Sequence, residues 1–203
     1  MGATRVYLEV GKKCVFACAL DWPGWCRRDR DAASAIEALL GYAPRYAIVA
    51  GPGFSPRDVE VVGEVTGDAT TDFGAPGAIG DWDRGELESA EAVRLAGLLE
   101  RTWNTFDAVV AAAPELLRKG PRGGGRDRDA IVDHVREAER SYGRKLDLRV
   151  PPRTPWTEQR ALYLEAIRGG SSNGAWPARY VIRRVAWHVM DHAWEIEDRG
   201  PTG

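Results

Sequence analysis

Three histidines occur in the chain, and all fall in two short segments of helical periodicity: His134 in IVDHVREAERSY, and His188 with His192 in RRVAWHVMDHAWEIEDR. Residues four apart on an α-helix lie about 40° apart around the axis and about 6 Å along it. The spacing of His188 and His192 therefore aims two imidazoles at one point, and His134 can supply a third from a neighbouring helix. Three neutral nitrogens hold a first-row divalent metal and leave coordination positions open, as catalytic sites do and closed structural sites do not. His188, Asp191, His192 and Glu195 form a polar stripe in a segment otherwise rich in Val, Met, Ile and Trp. Burying such a stripe requires a metal or a dense hydrogen-bond network to compensate it. HVMDH is not the HExxH of zinc proteases, because no Glu follows His188, so no protease base is assigned.

Other residues near the histidines are candidates by position. Glu137, three residues after His134, lies near the same face and can orient an imidazole or act as a base; the alternative is an ion pair with an Arg. Arg183 and Arg184 precede His188 by about a turn, and Arg136 and Arg140 follow His134; such residues bind a carboxylate-bearing thiol or substrate, or are simply exposed helix charge. Tyr142, two turns beyond His134, is a further pocket candidate, and Trp187 and Trp194 share a helical face. Asp133 and Asp191 point about 100° away from the adjacent ligands on their helices and suit a supporting or surface role.

The elements that must position these residues divide into two halves. Arg5–Val10 alternates, with Val6, Leu8 and Val10 on one face, and Cys14–Leu20 continues as a strand after the turn at Gly11-Lys12-Lys13. Asp21-Trp22-Pro23-Gly24-Trp25 is a turn. A helix begins at about Asp31 with Ile36, Leu39 and Leu40 on an apolar face, and Asp58–Val65 is a further strand. The unit 1–66 thus reads as a small ββαβ-type α/β unit. Residues 67–85, rich in Gly and Asp, have no usable periodicity and read as a linker that folds back over the second half. From Glu86 the period becomes helical: Glu86–Ala113 up to Pro114, Asp127–Leu148, Thr157–Ile167, and a last helix entered through Trp176-Pro177 and ending near Arg199. Between the first two, residues 118–128 read as a flexible basic connection, and Gly169–Gly174 reads as a turn. Four helices in 86–203 argue for a bundle, in which facing interior side chains commonly build metal sites. The fold class expected is α+β.

Composition narrows the function classes. A formal charge of −2 with 29% charged residues argues against duplex nucleic acid or an anionic membrane as partner. No apolar run approaches a membrane span, and the opening MGATRVYLEV has neither signal-peptide regions nor the Ser or Thr of a myristoylation pattern, so a cytoplasmic location is expected. Cys14, Cys18 and Cys26 fit no zinc ribbon or CxxC motif and read as small buried hydrophobes.

The second half, over about residues 80–200, resembles the DinB/YfiT-like superfamily of metal-binding four-helix bundles, most closely in RRVAWHVMDHAWEIEDR. The family's ligand set is one His on the second helix and an HxxxH pair on the last. Carried over, this implies His134, His188 and His192 as ligands of Zn or Ni. It also implies a transferase using a low-molecular-weight thiol such as mycothiol on a small-molecule substrate. A metal-dependent hydrolase, and a non-catalytic binding protein whose bundle the metal staples, stand as alternatives. A homodimer suits helices of this kind, although no sequence feature requires one. The first half resembles HicB-like α/β domains through Tyr7-Leu8-Glu9-Val10-Gly11, Pro23-Gly24-Trp25 and the helix start DAASAIEALL. That resemblance implies a structural or substrate-gating part, or the partner binding of an antitoxin.

Overall fold

The computed structural model describes residues 3–52, 54, 56, 58–120, 124–169 and 174–200. Parts of the expected basic connection and most of the expected turn at Gly169–Gly174 lie outside these residues. The chain is mixed α+β and separates into two compact units, Met1–Gly85 and Glu86–Gly203.

The first unit carries four strands, β1 (Thr4–Val10), β2 (Val15–Ala19), β3 (Cys26–Asp29) and β4 (Val59–Thr66), in the order β3-β2-β1-β4. β1–β2 and β2–β3 are antiparallel, and β4 returns parallel to β1 after helices α1 (Ala32–Gly41) and α2 (Ala43–Ala50). Asp31 caps α1 reciprocally with Ser34, as its position before the apolar face predicts. The turn before β3 is held from below: Trp25 donates its indole N–H to the Leu39 carbonyl at 2.8 Å, and the Tyr46 hydroxyl donates to the Pro23 carbonyl at 2.7 Å.

Alternation predicts one buried face on β1, whereas Val6, Tyr7, Leu8 and Glu9 are all buried. The segment 67–85 is the reason. It carries α3 (Ala69–Phe73) and a 3-10 turn at Asp81–Asp83, and it belongs to the first unit rather than connecting two others. Trp82 packs against Tyr7 with the rings tilted, 4.7 Å between centroids. The Glu9 carboxylate accepts from the Thr71 hydroxyl at 2.5 Å, the Gly77 amide at 2.8 Å and the Ala78 amide at 3.1 Å, which offsets the cost of burying it. Asp72 accepts from the amides of Lys12 and Lys13 and so ties down the first hairpin turn.

The second unit consists of α4 (Ser89–Ala112), α5 (Arg128–Lys145), α6 (Trp156–Arg168) and α7 (Ala178–Arg199). Each packs against two others: α4 on α7 and α6, α5 on α7 and α6. Pro155 and Pro177 precede the first residues of α6 and α7, where a missing N–H costs nothing. α4 buries Ala92, Leu95, Leu99, Trp103 and Phe106 along one stripe, while Val93, expected on that stripe, is largely exposed because it falls outside the arc. α7 is buried almost all round, from Tyr180 to Ile196.

A buried carboxylate joins three of these helices. Glu139 of α5, fully buried, accepts the indole N–H of Trp103 from α4 at 2.8 Å and that of Trp156 from α6 at 2.5 Å. The Tyr163 hydroxyl donates to the Glu139 carbonyl, across a gap kept open by Gly143, where a Cβ would lie 3.1 Å from that hydroxyl. Arg160 stacks on Trp156 at 4.0 Å and pairs with Asp107. Burial outweighs the attraction of Arg160 and the two indoles, and the Glu139 carboxyl is pushed up to about 7. No described helix is long and apolar enough to cross a membrane.

Candidate metal centre

The packing of α5 on α7 brings the three histidines together. The Nε2 atoms of His134 and His188 stand 3.2 Å apart, and the rings of His134, His188 and His192 lie 4.6–5.0 Å apart between centroids. One nitrogen from each can be chosen so that all three fall within 4.8 Å of one another. His188 is buried and the other two are half-buried, which leaves one side of the cluster approachable.

The donor set fits a divalent first-row ion. With zinc–nitrogen bonds of about 2.0–2.1 Å, two imidazole nitrogens on a tetrahedral ion stand about 3.3 Å apart. The 3.2 Å between His134 and His188 matches, and the widest separation, within 4.8 Å, would have to close by up to about 1.5 Å. The protonation states fit as well. Burial first, then the neighbouring His192 and the cation Arg126, lowers the pKa of His134. Burial, His192, His134, Arg184 and Arg126 hold His188 well below the usual histidine value. Both are neutral at neutral pH and offer lone pairs with no proton to displace.

His192 is oriented by a chain of partners. Its Nδ1–H donates to Glu195 Oε2 at 2.8 Å, which leaves the Nε2 lone pair as its donor to a metal. The hydrogen bond from His192 and the proximity of Arg199 lower the Glu195 pKa despite its partial burial, so the acceptor is a carboxylate. Arg199 Nη1 donates to Glu195 Oε1 at 2.5 Å, and its Nε donates to the Arg118 carbonyl at 2.9 Å. His188 differs, because its buried Nδ1 has no hydrogen-bond partner among the described residues. With Nε2 turned to the cluster, that Nδ1 is left without a partner at a cost of about 1–3 kcal/mol whether the cluster holds a metal or is a hydrogen-bond network.

The remaining candidates separate into those at the cluster and those away from it. Tyr142 meets His188 edge to face at 5.8 Å, and Arg184 lies over both Tyr142, at 5.5 Å, and Trp187, at 4.9 Å. Trp176 extends this wall beside Tyr142. Arg183 instead lies over Tyr180, one turn back on α7. Glu137 is mostly exposed and pairs with Arg140 at 3.0 Å; Glu195, not Glu137, carries the orienting carboxylate. Both glutamates stand three residues after a histidine, and helix spacing alone does not say which of the two faces the cluster. Arg136 and Arg140 donate to the carbonyls of Thr154 and Pro152, holding the turn before α6. Asp133 is exposed, and Trp194 is buried in the core. Arg126, with no special spacing in the sequence, acts on two of the three histidines. No protein-family model, curated protein or solved structure matches the chain.

Proposed function

We propose that Glu86–Gly203 is a DinB-like bundle holding a divalent metal, Zn or Ni, on His134, His188 and His192, and that it acts as a transferase using a low-molecular-weight thiol. The observation that carries this reading is the convergence of three imidazole donors from two helices, two of them neutral through burial. A metal held there supplies a Lewis acid that lowers a thiol's pKa and presents its sulfur to an electrophile. The chain's own residues do the rest. Glu195 holds His192 in the Nδ1–H tautomer, and Arg199 keeps Glu195 ionised and in place. Tyr142 and Trp187 shield the buried side of His188 from water. The first unit, proposed as HicB-like, contributes none of the three histidines and is assigned no chemical step.

Elemental analysis of untagged wild type and His188→Ala, purified side by side, tests the proposal. Near-stoichiometric metal in wild type that is lost in the variant supports it. A wild type that holds no metal, and takes up none when Zn, Ni, Mn or Fe is added, overturns it.

A further inference from the structure

Two of the three cysteines face each other across the sheet of the first unit. Cys18 of β2 and Cys26 of β3 are direct partners in the antiparallel register, so both side chains lie on one face. The phase of the hydrogen bonds says which kind of pair they form. Gly11 donates to the Cys14 carbonyl and Leu20 to the Arg5 carbonyl, each at 3.0 Å, so every second residue between them, Cys18 included, turns its amide and carbonyl towards β1. On the other side Ala19 donates to the Trp25 carbonyl at 3.0 Å, which makes the next pair, Cys18 with Cys26, a non-hydrogen-bonded one. Such a pair brings its Cα atoms to about 4.5 Å, with the side chains closest together. A disulfide spans Cα separations of about 4.4–6.8 Å. Cys14 is out of reach: it lies about 13 Å along the run from Cys18, beyond the Val15–Asp29 pair at the opposite end of the ladder, and its thiol donates to the Thr71 carbonyl.

We propose that Cys18 and Cys26 form a redox site, at which a low-molecular-weight disulfide oxidises the two thiols to an intrachain disulfide that ties β3 to β2. One cysteine loses its proton to solvent and attacks a sulfur of the small disulfide, whose S–S bond breaks to release one thiolate. The second cysteine, deprotonated in the same way, attacks the protein sulfur of this mixed disulfide and releases the second thiolate, so two electrons pass from the protein to the small disulfide. Excess thiol runs the same steps backwards. Both cysteines are buried, at 3% and 5% exposure, and access comes from β3. This strand has four residues and sits at the edge of the sheet, bonded to β2 alone among the described strands, so it opens more readily than β1 or β2. Trp25, next to Cys26, is held by its bond to the Leu39 carbonyl, which returns the two sulfurs to the same register on closing. The site belongs to the first unit and does not rest on the metal reading.

The test incubates the reduced full chain, without denaturant, in buffers of increasing oxidised-to-reduced glutathione ratio, then quenches with acid and alkylates the remaining thiols. Intact mass and peptide mapping read the outcome. Reduced protein takes three alkyl groups; the oxidised form is expected to take one, on Cys14, with the peptides of Cys18 and Cys26 joined and no glutathione attached. Excess reduced glutathione is expected to restore all three sites. Cys14→Ser is expected to form the same bond, and hydrogen exchange at the Arg27 amide is expected to slow in the oxidised form. Three alkylated cysteines in every buffer, a reaction that stops at a glutathione adduct, or a bond made only in urea overturns the proposal. A disulfide that involves Cys14 or joins two chains overturns it as well.

Discussion

Glu139→Gln separates the electrostatics of the second unit from its packing. The folded carboxyl titrates at about 7 against an ordinary 4.5, so between those values the unfolded chain is ionised while the folded one still carries the proton. Stability from this group is therefore complete below the ordinary value and is lost as the pH rises towards the folded one. Over the span from about pH 5 to about pH 8 the loss is about 2–3 kcal/mol. Glutamine does not titrate, but only its carbonyl can accept an indole N–H, whereas Glu139 serves both Trp103 and Trp156. One indole is left unsatisfied at about 1–3 kcal/mol. The variant should be less stable than wild type by about that amount at about pH 5, and the gap should close or invert at about pH 8. Urea denaturation followed by tryptophan fluorescence measures both proteins at both pH values. Contributions common to both proteins cancel in the difference. A gap of the same size at both pH values would refute the reasoning, because the carboxyl would then have the same pKa folded and unfolded.

Two smaller perturbations probe how the cluster is held. Glu195→Gln removes the charge that His192 leans on, and metal affinity should fall about 10- to 100-fold in competition with a chromophoric chelator; unchanged affinity would show that His192 needs no orienting partner. Gly125→Ala forces a side chain into a left-handed backbone and against Arg199 at 2.6 Å, which should cost about 1–2 kcal/mol and lower the melting temperature; an unmoved melting curve would show that this segment does not report on the helical unit.

The sequence was most readable where punctuation and period agree. Asp31 and Asp127 precede helices, and Pro177 and Gly200 bracket α7, so those elements fall within a few residues of expectation. β3 was missed because CRRD is a short edge strand whose charges hide any alternation, and α2 because Pro44 reads as a breaker although a first helical turn tolerates it. The segment 67–85 read as a linker since its structure comes from local caps, Asp68 with Thr71 and the left-handed Gly74, and not from an apolar period. At the cluster, the three histidines were legible from spacing alone. Arg126 was not, because a loop residue reaches its neighbours through backbone geometry that no periodicity encodes.

The strand order has a consequence for how the chain assembles. β1 meets β2 through a tight turn, with Val10 opposite Val15, but its other neighbour is β4, with Thr4 opposite Val59. As the chain emerges from the ribosome, β1, β2 and β3 can form while the far edge of β1 is still open, and that edge stays unpaired until both crossover helices and all of β4 have been made. The second unit also waits for its last element, since α4 packs on α7, but its helices satisfy their own backbone and leave no strand edge open. The window for strand-to-strand aggregation therefore belongs to the first unit, at the β1 edge.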